Sequence, residues 1–212
     1  MWNKIQRIYI GTNQVRPPYW DYTPTSNTLV YYRMKEDLND YSWNNRNLTG
    51  TVTFADNKMT NTSTLSRTKI LSGTTWAFTV SIWTRGWNTW GVSENDSWWA
   101  QWFLTAKWVN QDNYNWNAII NWSWRRSGGT TAIGTNDDFL LLTFVYNWNN
   151  RKAYNNGVNF GTTTNCSWNL KTTATSFRVG AWVWGQIIIE KWAWSVSDIQ
   201  TYYNNSKWNY WL

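Results

Sequence analysis

Phe78, Val80 and Ile82 alternate with Thr79 and Ser81, and this period of two is the feature that most restricts what the chain can fold into. Successive side chains on a strand point to opposite faces, so such a run buries one face and leaves the other polar. The period returns at Phe177, Val179 and Ala181. Residues 139–146 (Phe-Leu-Leu-Leu-Thr-Phe-Val-Tyr) are almost continuously apolar, as a central strand covered on both faces would be. Residues 29–34 and 187–189 supply further apolar strands, and residues 152–160 read as a hairpin turning at Asn155-Asn156-Gly157. One short helix is expected near the C-terminal end, where Ser195 and Asp198 have capping-box spacing and Ile199, Tyr202 and Tyr203 share a face. The reading is an all-β, two-sheet antiparallel β-sandwich with one short C-terminal helix. At 212 residues, the chain fits one such domain over residues 27–212. Residues 1–26, with a strand over 4–10 closed by Gly11 and prolines at 17, 18 and 24, read as an N-terminal arm.

Several function classes are excluded by what the chain lacks. It contains no histidine, which removes the usual nucleophilic triads and most zinc and copper sites. Cys166 is the single cysteine, so neither an intrachain disulfide nor a cysteine metal cluster can form. The net charge of +7 invites nucleic acid, but the basic residues are scattered and the only adjacent arginines are Arg125 and Arg126. The expectation is therefore no nucleic-acid partner, with mild attraction to acidic glycans or cell-surface polymers instead. No segment has the apolar length of a membrane span or of a signal peptide, so neither membrane insertion nor unaided secretion is expected.

Tryptophan is the anomaly, at 22 of 212 residues. Asn115-Trp116-Asn117, Asn147-Trp148-Asn149, Ser42-Trp43-Asn44 and Lys207-Trp208-Asn209 all read as turns with the wrong central residue, as does Trp168-Asn169. Tight turns often need φ > 0, which glycine supplies and an indole resists. Glycine is meanwhile scarce for so turn-rich a chain, at 12 residues. These positions suggest that many tryptophans are glycine in the native protein, encoded by UGA in an alternative genetic code. A sugar-stacking platform would instead keep its indoles on one strand face at period two, and these do not. Trp83 and Trp194 lie where a large apolar residue fits, and are expected to be genuine.

The order of elements carries a resemblance. Leu29-Val30-Tyr31-Tyr32 running into Asp40-Tyr41-Ser42-Trp43-Asn44 resembles an apolar strand leading to a D-x-S-G-N turn, with Trp43 on the glycine. Residues 78–83 are similar to an F-T-[IV]-S-x-W strand. Residues 143–148 followed by Tyr154-Asn155-Asn156-Gly157 resemble a T-Y-D-G…V-N-G hairpin, with Trp148 on its glycine. Residues 177–180, 187–190 and 195–203 resemble an R-I-G…I-D-E-V…S-x-x-E-I-x-x-Y-Y close. Together, over roughly residues 28–212, these resemble the concanavalin A-like, laminin-G-like (LamG) domains of bacterial and phage surface or virion proteins. The resemblance implies a jelly roll. It also implies a non-catalytic adhesion or recognition module for a glycan or cell-surface polymer, on a virion or extracellular surface and beside other virion proteins. Calcium often accompanies the family, but its acidic ligand falls near Ile188, which cannot ligate, so no cofactor or metal is expected. A purely structural assembly domain that binds only protein is the second reading.

Hydrolases share this fold class, and they need two carboxyls flanking the scissile bond. Glu94-Asn95-Asp96 matches half of an E-x-D-x-x-E strand, but Ser97-Trp98-Trp99 follows with no second glutamate, and residues 91–97 read as a loop. No catalytic residue is expected. Asp137-Asp138 reads as a turn, Gly128-Gly129 lacks the Lys-Ser/Thr of a phosphate loop, and Cys166 has no basic neighbour. The best ligand candidates are Trp98, Trp99, Gln101 and Trp102, where aromatic faces stand beside an amide, with Tyr114 and Arg125 as weaker loop candidates.

Overall fold

The computed structural model describes residues 9–10, 13–14, 19–60, 65–71, 77–85, 92–95, 100–104, 113–114, 131–132, 139–148, 150–163, 175–180 and 183–210. In chain order the strands are β1 (Tyr9–Ile10), β2 (Asn13–Gln14), β3 (Thr28–Tyr32), β4 (Thr53–Ala55), β5 (Lys58–Thr60) and β6 (Leu65–Thr68). They continue with β7 (Ala77–Arg85), β8 (Val92–Asn95), β9 (Ala100–Leu104), β10 (Asn113–Tyr114) and β11 (Thr131–Ala132). The last are β12 (Leu140–Asn147), β13 (Asn150–Asn155), β14 (Val158–Thr163), β15 (Ser176–Val179) and β16 (Val183–Glu190). Helix α1 (Val196–Ser206) closes the fold with a 3₁₀ turn at Lys207–Asn209.

An eight-stranded antiparallel sheet runs β14-β13-β12-β7-β16-β5-β4, with β3 also pairing β16. A four-stranded sheet runs β6-β15-β8-β9. The all-β sandwich with one short helix is thus the observed architecture. Alternation places the core between the two sheets. Phe78, Val80 and Ile82 of β7, Leu142, Phe144 and Tyr146 of β12, and Ile187 and Ile189 of β16 meet Leu65, Val92, Phe177 and Val179 of the smaller sheet.

The opposite face of the large sheet is also covered. Trp83, Leu141, Val145, Tyr154 and Ile188 pack there with Trp194, Ile199, Tyr202 and Tyr210, and Trp20 and Tyr22 lie against them. Hence β12 reads apolar throughout, because both its faces are buried. The helix starts where expected: Ser195 accepts from the Asp198 amide while the Asp198 side chain accepts from the Ser195 amide.

Two Asx-rich hairpins close with left-handed residues. Asn156 (φ 50°) and Gly157 (φ 81°) join β13 to β14, and Asp56 (φ 50°) and Asn57 (φ 61°) join β4 to β5. Paired positive φ values match the right-handed twist of the flanking strands. In β16 the register shifts between Trp184 and Ile187. A Cβ at Gly185 would collide with the Tyr210 ring, and the Gln186 amide leaves the ladder to donate to the Tyr210 hydroxyl at 2.7 Å.

Candidate functional site

Of the six expected ligand contacts, the structure places three on strands. Gln101 and Trp102 lie on β9, and Tyr114 lies on β10, which among the described residues pairs with β11 in a two-stranded ribbon. Trp98, Trp99 and Arg125 lie outside the described residues, as do Asp96, Asp137, Asp138, Cys166 and the Gly128-Gly129 pair. Among the described strands β9 ends the smaller sheet, so Gln101 and Trp102 stand on its edge strand there.

Residues 91–97 read as a loop, but residues 92–95 form β8, which pairs with both β15 and β9. The burial of Val92 explains the difference, because it anchors β8 in the core beside Val179. Polar Ser93, Glu94 and Asn95 hid that single anchor from a reading by periodicity. Glu94 stands in register with Phe177 on one side and Gln101 on the other.

The Asp40 turn is occupied by its own backbone. The Asp40 carboxylate accepts from the amides of Tyr31 (3.0 Å), Ser42 (2.9 Å) and Arg46 (2.9 Å), and from the Ser42 hydroxyl (2.8 Å). Asn44 donates to the Thr28 carbonyl at 2.8 Å. Two oxygens with four donors hold the loop to β3, which makes this carboxylate structural.

A second polar cluster, which the sequence reading missed, lies on the helix-covered side of the large sheet. Glu190 is fully buried and accepts from the hydroxyls of Tyr22 (2.7 Å) and Thr28 (2.5 Å). Burial raises its carboxyl above the ordinary range, against the pull of these hydrogen bonds. Gln186 is the neighbouring hub. It donates to the Trp20 carbonyl (2.8 Å) and the Tyr31 hydroxyl (3.0 Å), and accepts from Tyr202 (2.9 Å). Asn209 exchanges hydrogen bonds with the Trp20 backbone in both directions, each 2.8 Å. Burial also pushes the Tyr19 phenol up to about 12, and raises Tyr22 and Tyr31 further. Residues 19–27 are therefore strapped to β16, β3 and the C-terminal turn by buried polar groups that satisfy one another. Among the described residues, no group of three or more Asp, Glu or Cys side chains is placed to hold a metal. Among the described residues no helix is long and apolar enough to cross a membrane.

Beside the half-buried Trp20, tryptophans of two opposite environments stand out among the described residues. Trp83 is 0% exposed, donates from Nε1 to the Ser206 hydroxyl at 2.9 Å and packs on Tyr203 and Tyr210, and Trp194 is 5% exposed. Trp43 (83%), Trp148 (47%), Trp192 (40%) and Trp208 (39%) face solvent. Of the turn positions singled out in the sequence, Trp148 has φ of 48°. Trp43 does not, since the left-handed residue of its loop is Asn45 (φ 56°), and Trp208 sits in the 3₁₀ turn.

No family model matches the sequence, and no curated protein does. Solved structures do match. The binding domain of botulinum neurotoxin DC in complex with SialylT superposes with a TM-score of 0.65 at 16% identity, over 84% of this chain and 51% of that one. Domain 4 of AbnA, an extracellular GH43 arabinanase from Geobacillus stearothermophilus, in complex with arabinotriose, gives 0.64 at 16% identity, over 82% of this chain and 97% of that one. The neurotoxin DC binding domain in complex with rat synaptotagmin II gives 0.64 at 16% identity, over 84% and 51%. The likeness is one of fold. These structures are binding domains of a toxin and a domain of a hydrolase, and this chain spans about half the length of the toxin domains.

Proposed function

We propose that this chain is a concanavalin A-like, laminin-G-like recognition module that binds a glycan or cell-surface polymer without altering it. The observation that carries the reading is the smaller sheet, whose terminal strand among the described residues, β9, bears Gln101 and Trp102, while the central strands β7 and β12 of the larger sheet are buried on both faces. The ligand contacts assigned to it are Trp98, Trp99, Gln101, Trp102, Tyr114 and Arg125, with no catalytic residue and no cofactor. Structural neighbours solved with SialylT and with arabinotriose support glycan as the ligand class. The one solved with synaptotagmin II supports the second reading, a domain that binds only protein. The surface of a virion or cell is the location that suits either, with other virion proteins as further partners.

The same reading takes the turn tryptophans as glycines written by UGA recoding, supported by the left-handed backbone and exposure of Trp148. Sequencing the gene tests it: UGA at Trp148 and UGG at Trp83 is the expected result, and UGG at both removes the idea. The function is tested on a glycan array paired with a reducing-sugar assay. Retention of a glycan with no sugar released is expected. Release of sugar that Glu94→Gln abolishes would make the chain a hydrolase. Failure on every glycan, with capture by virion proteins, would leave the protein-binding reading.

A further inference from the structure

The smaller sheet has one face in the core, and its other face is uncovered among the described residues. Leu65, Val92, Phe177 and Val179 point into the core, so the alternate positions make the outer face. Register sets Ser66, Arg178, Ser93 and Trp102 in one row across β6, β15, β8 and β9, with Thr68 and Ser176 paired in the next row. Thr68 and Arg178 are exposed, and Ser66 and Ser176 are half-exposed. The large sheet, by contrast, carries α1 and the strap on its outer side.

Arg178 is the charged residue of these rows. It makes no ion pair or hydrogen bond among the described residues, whereas Arg33, the cation beside the strap, is paired with Asp21 at 2.9 Å. Glu94 belongs to the row of Phe177, not to that of Arg178. Among the described residues the face is thus a hydroxyl-bearing floor with one guanidinium that has no carboxylate beside it, on a chain of net charge +7. A guanidinium binds a carboxylate through two parallel hydrogen bonds, and serine and threonine hydroxyls exchange hydrogen bonds with sugar hydroxyls. Ser66 pairs with Arg178 and Thr68 with Ser176 on adjoining strands, so a sugar carboxylate can engage the guanidinium while hydroxyls of the same chain meet these side chains.

The geometry points to an acidic polysaccharide, one bearing sugar carboxylates, bound across the outer face of the four-stranded sheet with Arg178 as its anion contact. This rests on the recognition reading above and names its ligand class.

The test is affinity electrophoresis of the full chain through polygalacturonate, alginate and polysialic acid, with fully methyl-esterified pectin and dextran as uncharged counterparts. Retardation by at least one acidic polymer is expected, lost on methyl esterification and weakened by added salt. Arg178→Gln should weaken it about tenfold or more, the scale of a lost charge-assisted bond, and Arg178→Lys should restore part of it. Both variants should melt like the parent, because the side chain is exposed. Retardation by esterified pectin or dextran equal to that by the acids, or an unchanged Arg178→Gln, overturns the acidic ligand and this face while leaving glycan recognition standing. Single-stranded DNA outcompeting the acidic polymers overturns it in favour of nucleic acid. No retardation by any polymer, with an empty glycan array, overturns this inference and the recognition reading together.

Discussion

Trp148 and Trp83 show how one residue type can be a defect at one position and a keystone at another. Trp148 holds φ of 48° at a half-exposed turn, where a side chain adds backbone strain. Trp148→Gly should therefore raise stability by about 1 kcal/mol, read as a higher urea midpoint with an unchanged slope. A lower midpoint would show that the indole packs usefully and that glycine is not what the turn requires. Trp83 is fully buried and hydrogen-bonded, so Trp83→Ala should cost about 3–5 kcal/mol in the same experiment. Glu190 makes a second residue-scale prediction. Burial raises its native value above the unfolded one, so the native state binds the proton more tightly. The stability tied to that proton is fully present below the ordinary carboxylate range and is lost as pH rises through the raised native value. The wild-type midpoint should therefore gain on that of Glu190→Gln as pH falls from neutral into the acid range. Parallel curves for the two proteins would count against it.

At the scale of elements, legibility followed the strength of the local pattern. Strands β7, β12 and β16, the β13–β14 hairpin and α1 could be read because period-two runs, an Asn-Gly turn and a capping box are each local signals. The β4–β5 hairpin went unread although Asp56-Asn57 was its turn signal, because strands of three residues show almost no periodicity. Strand β8 was hidden behind one anchor, Val92. Of the candidate site, the sequence marked Gln101 and Trp102 on β9, but not Arg178, whose significance lies in a register across three strands. The Glu190 and Gln186 clusters were equally illegible, since they join residues more than 150 positions apart, as Tyr31 and Gln186 are. The capping box of α1 is a local device with a measurable share. An 11-residue helix is marginal in isolation, and Ser195→Ala should cost about 1 kcal/mol in a denaturant titration. No loss would mean that packing of Ile199 and Tyr202 alone sets the start of the helix.

The two cores are not separate bodies, because β7, β12 and β16 contribute side chains to both. Phe78, Val80 and Ile82 face the smaller sheet while Trp83 faces the helix, and Ile187 and Ile189 flank an Ile188 that points the other way. Neither face of the central strands can be exposed without disturbing the backbone that holds the other. The helix and the strap are further tied to the sheet through Gln186 and Glu190, so they gain little by leaving first. Cooperative loss of all layers is the consequence. Far-ultraviolet dichroism, which follows the sheets, and near-ultraviolet dichroism, dominated by the Tyr and Trp cluster under α1, should show one coincident thermal transition. An earlier near-ultraviolet transition would mean that the strap and helix detach as their own unit. The large sheet would then offer its outer face to a ligand, and the smaller sheet would lose its claim to be the exposed binding face.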